Sequence, residues 1–323
     1  MLDSSFGPEI SALLKDDTVE EVRVNTDGQL WAVQSGARVN TGVILSDAQR
    51  MMVINSVADI AGEEARDTNP SFPAELPESG YRFHAVIPPQ VPHPTFVVRR
   101  KPTKVFELEQ YVERGELSAE QLEVIAQAID AHENILVVGG TASGKTTFTN
   151  ALLRRIGRIT GRILTIEDTR ELIVMCDEWI PLRTVRKGRE IVRDMASLLR
   201  DSLRLTPDRI IVGEVRGAEV VAMLDAWGTG HPGGVATVHA NSDREALERI
   251  EDLMRQGRYE PVPRQIARTI NLIIFLGFET YTDGAGVNRR RRRVLGMSRV
   301  KGVKPTELGH EYIFAEACAA KAA

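Results

Sequence analysis

Cysteine is scarce in this chain. Its 323 residues include two, Cys176 and Cys318, with no CxxC pair and no Cys/His cluster. That argues against a structural zinc and against a disulfide framework, and it fits a reducing cytosol. Aromatic residues are few, at 5%. Charge of one sign is not in excess: 41 Lys and Arg face 45 Asp and Glu, a net charge of -4, with a pI near 6.0. A general electrostatic footprint for nucleic acid is therefore absent, although a local patch stays open. The first 17 residues lack a basic n-region and a long apolar core, so no signal peptide is expected. The most apolar later run, Ile270 to Phe278, is too short to span a bilayer. Any membrane association is expected to be peripheral.

What is present is an ordinary globular composition, 42% hydrophobic and 27% charged. At about 100–200 residues per domain, the length suggests two domains. Residues 1–100 read as a small α/β unit. Glu20–Asn25 and Gln29–Gln34 look like strands joined at Asp27-Gly28, and Asp47–Gly62 has apolar residues at helical spacing. The Pro-rich stretch Asn69 to Pro77 reads as a loop, followed by short strands at Tyr81–Ile87 and Thr95–Arg100. A linker is expected at 101–117, although Phe106–Arg114 looks helical. Ser118 with Gln121 forms a capping-box pattern ahead of a helix. From Asn134 onward strands and helices alternate, the pattern of a parallel sheet flanked by helices. The fold class expected is thus α/β, with the larger domain over 118–323. Leu272–Thr280, a turn at Asp283-Gly284 and Arg290–Val300 read as a closing antiparallel hairpin.

The strongest chemical signal is Gly139-Gly140-Thr141-Ala142-Ser143-Gly144-Lys145-Thr146, which matches GxxxxGK[ST] between an apolar strand and a helix. Glycines let the backbone wrap around phosphate oxygens, and successive N–H groups with the helix N-terminus supply partial positive charge. Lys145 is expected to neutralise β- and γ-phosphate oxygens, and the Thr146 hydroxyl to sit on Mg²⁺. Thr147 follows in the first helical turn. ATP and Mg²⁺ are the implied ligands.

A P-loop also needs carboxylates, for Mg²⁺ and for water. Two apolar strands end in them. Arg209 to Glu214 ends in Gly-Glu and reads as a Walker B element; Ile163 to Asp168 ends in Glu-Asp. Carboxyl ends of parallel strands line the ligand crevice. If the water-directed acid stands on the strand beside the P-loop strand, Glu167 takes that role, and Glu214 holds the water shell of Mg²⁺. A Gly-rich loop and short strand, Thr229 to Ala240, end in His239. A lone histidine is more often a core or capping residue; here it could report on a γ-phosphate.

Together these segments resemble the secretion and pilus ATPase family, the hexameric motors of type II and type IV secretion. Four signature elements fall in order: the P-loop, an Asp box at Thr165–Leu172, the Walker B element at Leu203–Arg216, and a His box at Thr229–Ala240. Gly217 stands where the pilus and type II branch usually has Asp, and the four-cysteine module of that branch is missing. The chain looks like the conjugal-transfer branch, the TrbB type. The resemblance implies a RecA-like P-loop domain preceded by a small α/β domain, with the nucleotide between them. It also implies hydrolysis of ATP to ADP and phosphate. Partners would be a homo-hexamer and other components of a type IV secretion apparatus, with the chain cytoplasmic and in peripheral contact with the inner membrane. It further implies that Arg82 and Arg100 reach the phosphates, where guanidinium forks stabilise transferring charge; Arg99 is the weaker substitute for Arg100.

Five consecutive arginines, Arg289 to Arg293, admit three readings. On a strand they charge both faces and keep an edge from pairing. They could instead meet anionic lipid or a partner. Nucleic-acid binding is the weakest reading, because no aromatic interleaves the run. A nucleic-acid-dependent RecA-like helicase and a small-molecule kinase are the competing functions. Fold alone does not separate them from a motor.

Overall fold

The computed structural model describes residues 2–34, 37–62, 64–77, 79–101, 105–187, 190–282, 288–307 and 309–318. The chain forms two compact units, Met1–Thr103 with Arg186–Glu190, and Lys104–Val185 with Ile191–Ala323.

The first unit opens with α1 (Leu2–Lys15), β1 (Val19–Val24), β2 (Gln29–Gln34) and β3 (Ala37–Ile44). It continues with α2 (Asp47–Ala61), β4 (Ser71–Glu75), β5 (Arg82–Val86) and β6 (Thr95–Arg99). The strands form one antiparallel sheet in the order β3-β2-β1-β6-β5-β4. Alternation sends Val22, Val24, Phe83, Phe96 and Val98 into a core closed by Ile54 and Val57 of α2. Phe83 and Phe96 stack at 5.5 Å. The Asn69–Pro77 stretch is not simply a loop, because β4 lies in it. Proline is tolerated there: β4 is the last strand of the sheet order, and an edge strand does not need every N–H.

In the second unit α3 (Leu108–Glu113) and α4 (Ala119–Asp130) precede β7 (Ile135–Gly139), α5 (Lys145–Ile156), β8 (Arg162–Glu167) and β9 (Glu178–Arg183). The ribbon β10 (Val185–Lys187) and β11 (Glu190–Arg193), of which Arg186–Glu190 belong to the first unit, follows in the chain, then α6 (Met195–Ser202), β12 (Arg209–Val215), α7 (Glu219–Gly228) and β13 (Val235–Val238). The chain ends with α8 (Ala246–Gln256), α9 (Pro263–Thr269), β14 (Leu272–Thr282), β15 (Asn288–Thr306) and β16 (Gly309–Glu316). Ser118 and Gln121 make the capping box of α4. Leu108, Tyr111 and Leu117, within the stretch read as a linker, belong to this unit's core; residues 102–104 of that stretch lie outside the described residues.

The eight-stranded sheet runs β16-β15-β14-β7-β13-β12-β8-β9. Strands β14, β7, β13, β12, β8 and β9 are parallel. Every residue of β7 and β13 is buried, as helices on both faces require. The antiparallel hairpin of β14 and β15 is present, while the turn at Asp283-Gly284 lies outside the described residues. Asn134 and Arg209 lock the amino ends of the central strands. Asn134 Oδ1 accepts from the N–H groups of Gly233 and Gly234, both at 2.9 Å, and the fully buried Arg209 donates to Ile129 O at 2.8 Å. With that end tied, the carboxyl ends of β7, β12, β8 and β13 are the edge free to carry chemistry.

Candidate active site

Strand β7 runs into the P-loop, and α5 begins at Lys145. A side chain at Gly139 would place Cβ 2.3 Å from Leu276 O and 2.7 Å from Ser143 Oγ, so only glycine lets the loop fold back on β14 here. Gly144 caps α5 with no side-chain bond, which leaves first-turn N–H groups for an anion. Thr146 and Thr147 stand in that turn, half-buried. The Lys145 ammonium is largely buried and donates to Gly139 O and Gly140 O, both at 2.9 Å. Burial pulls its pKa below the ordinary lysine value and Arg216 adds to this, while Glu214 opposes it.

His239 comes next in line. Its Nδ1 lies 3.4 Å from Lys145 Nζ and its Nε2 lies 2.8 Å from Glu214 Oε1. Nδ1 can accept from the ammonium when the ring proton is on Nε2, which faces the carboxylate. Burial lowers the His239 pKa from its usual value, and Lys145 lowers it further against the pull of Glu214. Both effects favour the neutral ring. Lys145→Ala removes a positive charge that opposes protonation, so the His239 pKa is expected to rise toward the ordinary value. An NMR titration of the ring checks this; an unchanged or lower value would contradict it. Arg216 Nη2 pairs with Glu214 Oε2. The result is a continuous polar line from Lys145 through His239 and Glu214 to Arg216.

Glu167 is placed differently. Its strand β8 is not beside the P-loop strand: β13 and β12 lie between them. The premise that made Glu167 the water-directed acid is corrected by this order. Glu167 is 2% exposed, and its Oε1 accepts from the N–H groups of Glu171 at 2.8 Å and Leu172 at 2.9 Å. It crosses Gly213, where an added Cβ would lie 2.9 Å from Glu167 Cγ. Asn150 of α5 holds the same loop, donating to Glu171 O and accepting from Ile173 N–H. Glu167 thus fastens the Asp-box loop between β12 and α5.

Thr146 and Glu214 offer hard oxygen donors. No group of three or more metal-ligating side chains occurs among the described residues. Such a sparse oxygen set suits Mg²⁺, which keeps waters and is completed by substrate phosphates.

In the first unit Arg82 stands opposite Arg99 across β5 and β6. Arg100 is committed within that unit. Its Nε donates to Tyr81 Oη at 3.0 Å, Nη2 pairs with Asp17 at 2.8 Å, and Nη1 reaches the carbonyls of Asp16 and Val19. His231 of the His box sits at the other end of β13 from His239, with Nδ1 3.0 Å from Pro207 O.

Sequence reading missed a cleft beside the P-loop. Phe106, Tyr111, Arg114, Glu116, Thr147, Arg292 and Arg293 line it with Ser143, Gly144, Phe148 and Leu276. Arg114 stacks on Phe106 at 4.3 Å, and burial pushes the Glu116 carboxyl up against the pull of Arg114 and Arg292. Arg292 Cδ lies 3.3 Å from where a Cβ on Gly144 would stand. The arginine run is therefore divided among tasks. Arg291 and Arg293 both pair with Glu279 at 2.7 Å, Arg290 stacks on Phe278 at 4.5 Å, and Arg292 overlooks the P-loop. The run pairs with β14, while β16 joins β15 only from Ser298 onward.

The profile of type II/IV secretion system proteins matches residues 13–276. The chain belongs to that family. It is 38% identical over 275 residues to a probable conjugal transfer protein TrbB of Sinorhizobium fredii, covering 84% of this chain and 83% of that one. It is 36% identical over 296 residues to the conjugal transfer protein TrbB of Rhizobium radiobacter, covering 91% and 88%. Among solved structures it is similar to the ATPase DotB of Legionella pneumophila, with a TM-score of 0.58 and 22% identity over 85% of this chain and 76% of that one. That likeness concerns the fold: a RecA-like P-loop domain preceded by a small α/β domain, as the sequence led us to expect. As a type II/IV secretion system protein the chain carries its P-loop, Asp-box, Walker B and His-box segments at the carboxyl ends of β7, β8, β12 and β13 of one sheet.

Proposed function

We propose that this chain is a motor ATPase of a conjugative type IV secretion apparatus, hydrolysing ATP to ADP and phosphate to drive transfer. The observation that carries this is the line Lys145–His239–Glu214 laid across the end of the P-loop. It sets an ammonium, an imidazole and a carboxylate side by side where a γ-phosphate would leave the cradle. A helicase reading is disfavoured by the family and by the chain's acidic balance.

The roles follow from position. Gly139, Gly140, Thr141, Ala142, Ser143, Gly144 and Thr147 hold the phosphate chain and its attachment to the nucleoside. The aromatic and arginine cleft beside Thr147 takes the base and sugar. Lys145 releases the two loop carbonyls and turns to the β- and γ-phosphates. The Thr146 hydroxyl, and Glu214 through water, would hold Mg²⁺, which would neutralise charge on the transferring group. Glu214 is the acid in line with Lys145 and His239 at the end of the P-loop, so it orients the attacking water and accepts its proton. His239 stands against Glu214 and keeps that carboxylate aimed. Glu167 shapes the crevice by holding the loop. Within the first unit Arg100 clamps the end of β6.

The working assembly is a homo-hexamer acting with other components of the apparatus, in peripheral contact with the inner membrane. No helix among the described residues is long and apolar enough to cross a membrane. A heterologous contact that closes on itself gives such a ring. Light scattering in the presence of Mg²⁺ and a non-hydrolysable ATP analogue is expected to give six times the monomer mass of 35.8 kDa. Monomer alone at micromolar concentration would contradict the ring.

A further inference from the structure

Strand β12 does not run regularly to its end. Val212 pairs with Ala236 of β13, and the next pairing joins Val215 to Val238. Three steps on β12 thus face two on β13, so Gly213 and Glu214 form a bulge. Bulges turn a side chain out of its regular direction and recur beside active sites. Two contacts from β13 and its end hold this one. Thr237, 2% exposed, donates from Oγ1 to Gly213 O at 2.7 Å. Two residues later His239 meets the Glu214 carboxylate at 2.8 Å. From the other side Glu167 presses on Gly213, where there is no space for a side chain.

We infer that Thr237 is a positioning residue for catalysis: its hydroxyl fixes the Gly213 carbonyl and thereby aims the Glu214 carboxylate. Thr237 touches neither substrate nor Glu214. A hydroxyl in a fully apolar strand is costly to bury unless its bond is made. The neighbours Val235, Ala236 and Val238 are all apolar and buried. A valine would fill the same volume, so packing alone does not call for threonine. Aim matters because a misplacement of about 1 Å in a reacting group can cost about 10²-fold in rate.

This inference rests on the role proposed for Glu214, and the test separates the two. Thr237→Val keeps the shape and deletes the bond. It is expected to lower kcat roughly tenfold or more with Mg²⁺-ATP affinity unchanged, while Thr237→Ser restores most of the rate. In a Glu214→Gln background Thr237→Val is expected to cause no further loss, because the residue acts only through that carboxylate. If Thr237→Val does not fold, Thr237→Ala carries the same comparison. Native kcat in the variant that folds, or an equal further loss in the Glu214→Gln background, would overturn the inference. Native turnover in Glu214→Gln alone would instead overturn the role of Glu214.

Discussion

Lys145→Ala is expected to lower ATP turnover by about 10²-fold or more, the scale of losing one charge-stabilising group aimed at a transition state. Lys145 is largely buried, and both its loop contacts are backbone carbonyls, Gly139 O and Gly140 O. Burial lowers its pKa, against the pull of Glu214. The two carbonyls hold the ammonium at the P-loop. Alanine removes the two bonds to the loop carbonyls but leaves Gly139 packed against Leu276. The loss should therefore fall on turnover rather than on folding, which circular dichroism on the same sample checks. Near-native turnover at saturating Mg²⁺-ATP would sink the P-loop assignment.

Glu214→Gln is expected to abolish turnover to a similar extent, by about 10²-fold or more for a lost general base. Excess Mg²⁺ should not rescue it. Glutamine preserves size but removes the charge and the basicity. Glu167→Gln is expected to behave otherwise. Its amide oxygen can still accept from the Glu171 and Leu172 N–H groups, so the Asp-box loop stays fastened and much of the rate survives. Titrating Mg²⁺ against turnover for both variants decides between them. A dead Glu167→Gln beside a Glu214→Gln rescued by metal would exchange the two roles.

The parts of this site that depend on local chain chemistry were legible in the sequence. A glycine-rich turn between a buried strand and a helix constrains its own backbone, so the P-loop announces itself, and α5 spans the residues expected for it. The carboxylates at the ends of β8 and β12 were legible for the same reason. Their division of labour was not, because it depends on sheet order. Strand β13 inserts between β7 and β12 although it follows both in the chain. That insertion brings His239 between Lys145 and Glu214 and puts β8 three strands from the cradle. Arg292 was hidden by distance along the chain: only the antiparallel return of β15 on β14 brings it over Gly144. The arginine run read as a uniform charged stretch, whereas Glu279 and Phe278 on the facing strand give its members separate tasks. In the first unit, β4 was hidden because Pro73 argues against a strand unless the strand is known to be an edge.

The central claim is that Glu214 directs a water at the γ-phosphorus of ATP held in the P-loop. Hydrolysis in ¹⁸O-labelled water, followed by mass analysis of the products, tests it most directly. The expected result is inorganic phosphate carrying one solvent oxygen, unlabelled ADP, and loss of the labelled phosphate in Glu214→Gln. Label in ADP, phosphate transferred to another acceptor, or the same labelled yield from Glu214→Gln as from the native chain would contradict it.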